Sequence, residues 1–106
     1  MITLHLYYFG TNGSARDFVE EMETSGIADT IRAEKGNLQY QYFQPLNDPE
    51  TILLVDSWDN QAAIDAHHAS PMMMQLAALR EKYNLHMNVE RFVSEDLGSD
   101  EKFIRR

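Results

Sequence analysis

Four hydrophobic segments, three of them alternating with polar positions, predict β-strands. The segments are ITLHLYYF, NLQYQYFQ, TILLVDSW and LHMNVERFV, at residues 2–9, 37–44, 51–58 and 85–93. The third segment is the most hydrophobic of the four. Turn-rich stretches such as PLNDPE, residues 45–50, separate neighbouring segments and indicate where strands end.

Apolar residues at helical spacing predict a helical region between the first and second strands. Its apolar positions, interrupted by an expected break at Ser25–Gly26, are Phe18, Met22, Ile27, Ala28 and Ile31. Ser14 is the expected N-cap of a helix that opens at Ala15, and Gly36 is a suitable helix stop.

A second helical region is predicted between the third and fourth strands. We expect Asp59 to cap a short helix that runs through Ala66. Ser70 followed by Pro71 then indicates a new helix start. The apolar face of that helix is formed by Met72, Leu76, Leu79 and Tyr83.

The order of elements, β-α-β-β-α-β, predicts an α+β fold with the ferredoxin-like split βαββαβ topology. Its four-stranded antiparallel sheet carries the helices on one face. We expect residues 1–95 to form this one domain and residues 96–106 to form a polar tail. The tail residues Phe103 and Ile104 are adjacent and apolar, and we expect them to dock on their own or a partner subunit. A second copy of the chain would most simply cover the bare sheet face, so we predict a homodimer through the open sheet faces.

The strand alternation also predicts which side chains share a sheet face. The expected helix-facing residues are Ile2, Leu4, Leu6, Leu38, Tyr40, Tyr42, Leu53 and Val55. The expected opposite face carries Thr3, His5, Tyr7, Gln39, Gln41, Phe43, Leu54, Asp56 and Trp58. The second set mixes aromatic, polar and ionisable groups, which favours a ligand pocket. A dimer interface with incidental polar groups is the alternative.

Composition excludes several classes of function. Nine Lys and Arg against seventeen Asp and Glu give a net charge of −8, so we expect no nucleic-acid partner. The absence of cysteine excludes disulfides, thiolate metal sites and a cysteine nucleophile. No apolar run has membrane-spanning length, and no signal peptide is recognisable at the N-terminus. We therefore expect a cytoplasmic protein without a membrane partner.

His67 and His68 are the histidines most open to a chemical role. Neighbours on a helix point about 100° apart, so the two cannot form a paired metal site, and no other metal-ligand cluster is present. We expect one of them to face the sheet and the other solvent. The sheet-facing histidine is either a helix-end residue stabilised by the carbonyl dipoles or a base at a pocket mouth. Methionines 72–74 and Trp58 are typical of a hydrophobic core.

The stretch VDSWDNQAAIDAHHASPMM, residues 55–73, resembles the signature of the antibiotic biosynthesis monooxygenase family. The matching residues are Asp56, Trp58, Ala63, His67 and Ser70–Pro71. Upstream, AEKGNLQYQYFQ is similar to the family's second strand, with Gly36, Asn37, Leu38 and Tyr40 in register. The resemblance implies a dimeric α+β barrel in which each ferredoxin-like subunit holds a cavity between sheet and helices.

The resemblance also implies a function and a site. The implied activity is that of a cofactor-free monooxygenase, an oxidoreductase that uses molecular oxygen as co-substrate and a small aromatic phenol or quinol as substrate. We expect His67 and Trp58 to be catalytic, with His67 as the base. The expected substrate-binding residues are His5, Tyr7, Asn37, Gln39, Phe43, Leu54, Asp56 and Met72.

Family members differ in activity, and this chain departs from several of their patterns. The family members that oxidise polyketides carry an asparagine four residues before the tryptophan, and this chain has Leu54 at that position. Ala77 lies at the position of a histidine in the haem-degrading members. Met72 lies at the position of a histidine in the sugar isomerases. Two alternatives to the monooxygenase therefore stay open. One is an isomerase or proton-transfer enzyme on a small carbonyl or phosphosugar-like compound, and the other is a non-enzymatic dimer that binds a small ligand.

Overall fold

The sheet and its helices follow the predicted order in a computed structural model that describes residues 1–106. The strands are β1 (Ile2–Phe9), β2 (Asn37–Phe43), β3 (Thr51–Trp58) and β4 (His86–Val93). The helices are α1 (Ser14–Thr24), α2 (Ile27–Arg32), α3 (Gln61–His68) and α4 (Met72–Lys82), and a 3₁₀ helix spans Gly98–Phe103. All strand pairs are antiparallel, in the order β2-β3-β1-β4. The predicted ferredoxin-like α+β fold is confirmed.

One hydrophobic core lies between the sheet and the helices that cover one of its faces. The predicted apolar faces of the helices are confirmed in this core, where the buried helix residues include Phe18, Met22, Ile27, Ala28, Ile31, Met72, Leu76 and Leu79. The predicted break near Ser25–Gly26 is also confirmed, because α1 ends at Thr24 and α2 begins at Ile27.

The pairing of β1 with β3 corrects the predicted faces of β3. Leu6 lies opposite Leu54, and Leu4 lies opposite Asp56. Directly opposed residues share a face, so the even-numbered residues of β3 face the helices together with Leu4 and Leu6. Leu54, Asp56 and Trp58 are accordingly 1%, 4% and 0% exposed. The prediction that these three lie on the open face was wrong.

The reverse assignment, of Leu53 and Val55 to the helix side, was wrong for the same reason. Residues 52–55 are all apolar, so the segment carries no alternation from which a face can be read. Both side chains are half-buried on the open face of the sheet.

Leu38 was also assigned to the wrong face, because β2 contains a bulge. Asn37 pairs with Trp58 and Gln39 pairs with Ser57, so two steps along β2 match one step along β3. Leu38 is the extra residue and points outward, with 51% of its surface exposed. Tyr40 and Tyr42, beyond the bulge, face the helices as predicted.

The helix caps differ from the predicted ones by one residue. Gly13, with φ +80°, precedes α1, and the hydroxyl of Ser14 accepts a hydrogen bond from the Thr11 N–H instead of capping. Asn60, not Asp59, caps α3 by accepting the Ala63 N–H at 2.9 Å. Asp and Asn are about equally favourable as N-caps, so the sequence does not indicate which of these two neighbours caps the helix.

Strand β4 and the tail are the least covered parts of the chain. Every residue of β4 is exposed, because the helices lie over the other three strands. The 3₁₀ helix of the tail buries no residue, and Phe103 and Ile104 are exposed. The boundary between domain and tail at residues 95–96 and the docking of the tail on a subunit remain predictions.

Gly36 allows the start of β2 to approach α3 closely. Its φ is +86°, and a Cβ at this position would lie 2.6 Å from the Cβ of Ala63. Gly36 also accepts a hydrogen bond from the Asp59 N–H at 2.9 Å, which ties the end of β3 to the same corner. The close approach brings residues 34–37 beside the helix that carries His67.

We predict that Gly36→Ala destabilises the protein by more than twice as much as Gly26→Ala. Gly26 is a matched control, because its φ is +85° but a Cβ there would meet nothing within 4 Å. The left-handed conformation alone costs about 1–2 kcal/mol for a non-glycine residue, and Gly36→Ala adds the overlap with Ala63. Urea unfolding of both variants measures the difference, and equal losses would show that the contact with α3 is not tight.

Candidate active site

A cavity of about 350 Å³ lies between the sheet and helices α3 and α4. Most of its wall is apolar, formed by Leu4, Leu6, Leu54, Ile64, Met73, Leu76, Met87 and Val89. The volume is at the lower end of the range for small-molecule sites. Because the lining residues on β4 are exposed, the cavity is reached from solvent past that strand.

Ionisable groups stand at several points of the otherwise apolar wall. Asp56 comes from β3 and His67 from the last turn of α3, and both are buried. Arg80 on α4 and Arg91 on β4 add two guanidinium groups. An apolar chamber with a few convergent polar groups is typical of a site that binds and orients a small molecule.

His67 is held on two sides. Its Nδ1 lies 2.6 Å from Oε2 of Glu34, and its ring lies against Trp58, with centroids 4.8 Å apart and planes inclined by 34°. A carboxylate can only accept, so the Nδ1–H donates and Nε2 is the ring nitrogen left free. This arrangement leaves a basic nitrogen on a ring that is oriented by its neighbours.

Burial and charge act on the pKa of His67 in opposite directions. Burial of the ring lowers the pKa below its ordinary value, and this effect is the largest. The hydrogen bond and the charge of Glu34 raise it in part. The imidazole is therefore biased toward its neutral, basic form near neutral pH.

Asp56 has a raised pKa because it is removed from water. Burial raises the pKa of its carboxyl group to about 6, and the nearby charge of Glu34 adds to this effect. The Trp58 indole N–H and the Asn37 amide act against it, the amide by donating to Oδ1 at 3.2 Å. The indole N–H has no acceptor within hydrogen-bond geometry, so it acts on Asp56 through its dipole and not through a hydrogen bond.

Arg80 is the cation that faces the cavity from α4. It donates to the Tyr8 hydroxyl from Nε at 3.2 Å and from a terminal nitrogen at 2.9 Å. Its guanidinium carbon also lies 5.5 Å from the centre of the Tyr8 ring. Arg80 forms no ion pair with any carboxylate of the chain, so its charge is available to an anion in the cavity.

The structure brings some of the predicted site residues together and separates others. His67, Leu54 and Asp56 line the cavity. Trp58 and Asn37 lie behind this wall, in contact with His67 and Asp56 respectively. Met72 is buried at the start of α4 and does not line the cavity, whereas its neighbour Met73 does.

Four other predicted substrate-binding residues lie on the opposite face of the sheet. They are His5, Tyr7, Gln39 and Phe43, whose partners on β3 are odd-numbered. Their grouping with Leu54 and Asp56 was wrong, because the β3 faces were exchanged. The sheet itself separates them from the cavity.

Sequence reasoning missed Glu34 and Arg80. Glu34 lies thirty-three residues from His67, and only the fold brings the two together. The sequence could have indicated Arg80, because this residue follows Leu76 by four positions and so lies on the buried face of the same helix. The prediction for the two histidines agrees with His67 being buried and His68 exposed, but His68 also lies at the rim of the cavity.

The fold and the cavity together define a small ferredoxin-like α+β protein with a ligand-sized chamber between sheet and helices. Residues 1–79 match the model of the family named antibiotic biosynthesis monooxygenase. The match covers most of the chain, which therefore belongs to this family.

Individual relatives agree with the family assignment. The Bacillus subtilis (strain 168) protein "Putative monooxygenase YcnE" is 28% identical over 68 residues, which are 64% of this chain and 70% of that protein. A Deinococcus radiodurans protein described under the same family name has a similar fold, with a TM-score of 0.78, 23% identity and coverage of 91% and 94% of the two chains.

Another protein of similar fold is SnoaB from Streptomyces nogalater, described as a cofactor-independent oxygenase. It superposes with a TM-score of 0.76 at 11% identity, over 92% of this chain and 96% of that one. The names of the family and of YcnE point to oxidoreductase activity of the monooxygenase type.

None of the helices has the length and apolar character needed to cross a membrane. No group of three or more histidine, aspartate or glutamate side chains is arranged to hold a metal ion.

We predict that Asp56→Asn stabilises the protein at pH 8 and has little effect at pH 4. The folded-state pKa of about 6 exceeds the ordinary value of 3.8, so the buried group favours folding as the neutral acid. Stability is therefore lost as pH rises from about 4 to about 6, by up to about 3 kcal/mol for a shift of roughly two units. Asparagine cannot ionise and removes this loss.

Denaturant unfolding across this pH range tests the prediction. Asp59→Asn, two residues further on and exposed, is the matched control and should leave the pH dependence unchanged. His67 is present in all three proteins, so its own opposite contribution cancels in the comparison. Parallel curves of stability against pH for the Asp56 variant and the unmodified protein would show that the pKa of the Asp56 carboxyl group is not raised by folding.

Proposed function

We propose that the protein is a cofactor-independent monooxygenase that oxidises a small aromatic phenol or quinol in the cavity, with molecular oxygen as co-substrate. The observation that supports this best is His67, a buried imidazole held through Nδ1 by Glu34 that lines a mainly apolar, ligand-sized chamber. SnoaB, described as a cofactor-independent oxygenase, provides a precedent within the same fold.

The proposed chemistry begins with removal of the phenol proton by His67 Nε2. The resulting anion is electron-rich, and in an apolar chamber it is stabilised less by water than in solution. It reacts with oxygen at a ring carbon that carries hydrogen and forms a peroxide. One oxygen atom becomes a new ring carbonyl and the other leaves as water, with both hydrogens supplied by the substrate. The substrate provides all four electrons, so no external reductant is needed.

The cavity offers charge to match an anionic intermediate. Arg80, which has no carboxylate partner, and Arg91 both line it. A positive charge placed where negative charge develops contributes more in a low-dielectric site than in water. Leu54, buried where the polyketide oxidisers carry an asparagine, makes this part of the wall apolar and favours a small ring without polar substituents on that side.

A proton-transfer enzyme is the second candidate, and one observation favours it. Asp56 and His67 line the same cavity, and two titratable groups could serve as acid and base for the isomerisation of a small carbonyl compound. The two candidates differ in whether oxygen is consumed.

We predict that His67→Ala lowers turnover by roughly 10²–10⁴, the usual contribution of a general base. The assay measures oxygen uptake with a panel of quinols and dihydroxynaphthalenes. His86→Ala is the matched control, because His86 is exposed at the start of β4 and does not line the cavity. His68→Ala should change the rate only a few-fold, since that ring is exposed at the rim.

Three results would count against the proposal. Full activity of the His67 variant with an active substrate would remove this residue from the mechanism. Conversion of a carbonyl compound without oxygen uptake would favour the isomerase, and ligand binding without turnover of any compound would favour a non-enzymatic dimer.

We also propose that the protein forms a homodimer through its open sheet face. This face carries Thr3, His5, Tyr7, Gln41, Phe43, Leu53, Val55 and Phe92, several of them apolar and partly exposed. A single chain would leave this apolar surface in water. The exposed Phe103 and Ile104 of the tail are proposed to dock on the partner subunit.

We predict that Val55→Lys converts this dimer into a monomer. Val55 lies between His5 and Gln41 in the middle of the face, so a buried ammonium group there would lack a partner. Sedimentation velocity at micromolar concentration should give twice the 12.3 kDa chain mass for the unmodified protein and the single mass for the variant. Leu46→Lys is the charge-matched control, because Leu46 is fully exposed in the loop before β3. A monomeric unmodified protein would contradict the proposal.

A further inference from the structure

His67 stands in the wall between two separate spaces. One is the cavity described above. The other is a shallow groove of about 170 Å³ on the outer side of α3, lined by Glu34, Lys35, Ala63, Ala66, His67 and Ser70. His67 is the residue that lines both.

The two ring nitrogens of His67 have different surroundings. Nδ1 is committed to Glu34, which belongs to the outer groove. Nε2 has no partner in the protein and is left for a group in the cavity. An imidazole accepts a proton at one nitrogen while releasing the proton of the other, so such a ring can move charge across a wall without turning.

Glu34 is more accessible than the histidine it contacts. Its side chain is 19% exposed, compared with 6% for His67. A proton on Glu34 is therefore more accessible to water than a proton on the imidazole. Exposure increases in one direction, from the imidazole through the carboxylate to the groove.

We propose that Glu34 and His67 form a proton relay that connects the cavity with the outer groove. In the relay, a hydroxyl group in the cavity gives its proton to Nε2, the Nδ1 proton passes to Oε2 of Glu34, and Glu34 exchanges it with water in the groove. The same path runs in reverse when the peroxide is protonated. The relay rests on the proposed function in one respect, which is that the proton comes from the hydroxyl group of a phenol or quinol substrate. Glu34 acts through His67 and is a positioning residue.

The charges around His67 come from every element packed against it. Glu34 precedes β2, His68 is on α3, and Arg80 is on α4. Asp56 on β3 and Arg91 on β4 line the same cavity as His67. Lys35 lines the groove beside Glu34. Only Glu34 touches the ring with a negative charge, so its removal is expected to lower the pKa of His67.

The test begins with NMR, which needs no substrate. Long-range proton–nitrogen spectra, assigned with His67→Ala, should show the proton of neutral His67 on Nδ1. Glu34→Gln keeps the shape and an acceptor oxygen but removes the charge, and should lower the pKa of His67 by about one unit or more. Glu34→Ala should lose the preference for the Nδ1–H form.

Rescue by a small carboxylate tests the connection to the groove. In Glu34→Ala, added formate should enter the groove and restore the pKa and the Nδ1–H form of His67, whereas chloride at equal ionic strength should not. If a phenol substrate is found, Glu34→Ala should lower turnover at least tenfold and formate should recover it. Formate should not recover His67→Ala.

Glu23→Gln is the matched control for a purely structural role. Glu23 forms an ion pair with Arg32 at 2.6 Å and does not contact His67, although its side chain, 37% exposed, is more open to solvent than that of Glu34. Its loss should affect stability without moving the pKa or tautomer of His67.

Three outcomes would overturn the relay. They are a neutral His67 protonated on Nε2 in the unmodified protein, an unchanged pKa in Glu34→Gln, and no formate effect in Glu34→Ala. A failure of all phenols to consume oxygen would instead contradict the proposed function and leave the NMR tests decisive for the relay.

Discussion

Pairing of the two central strands is the constraint on which the rest of the molecule depends. Because Leu6 lies opposite Leu54, the even-numbered residues of β1 and β3 share the helix side of the sheet. A shift of one residue would turn every side chain of β3 to the other face. Asp56 and Trp58 would then lie on the open face of the sheet, and the cavity would lose the carboxyl group of Asp56 from its wall.

The same register brings polar groups into the interior, where they need partners. Asp56 receives a hydrogen bond from Asn37, and His67 is held by Glu34. Buried polar groups without partners reduce stability, so these contacts both stabilise the fold and orient the groups. Each partner comes from residues 34–37, which the close approach of Gly36 to α3 brings beside the cavity. A short segment outside the helices thus organises the candidate site.

The sequence predicted the elements well because their patterns are local. Strand alternation, helical spacing at Phe18 and Met22, and the break at Gly26 each depend on a few neighbouring residues. The faces of β3 could not be predicted in this way, because its run from Ile52 to Val55 is apolar throughout. The bulge at Leu38 changes the alternation of β2 without any local signal. Motif spacing singled out His67, but Glu34 is brought to it only by tertiary structure.

Trp58 gives the molecule an internal optical reporter. It is the only tryptophan of the chain, and its ring centre lies 4.8 Å from that of His67. All indole fluorescence therefore originates beside one imidazole, and a protonated imidazole quenches indole emission more strongly than a neutral one. The emission of the unlabelled protein should follow the charge on the cavity wall directly, and changes in that charge on ligand entry become visible without a chromophore in the ligand.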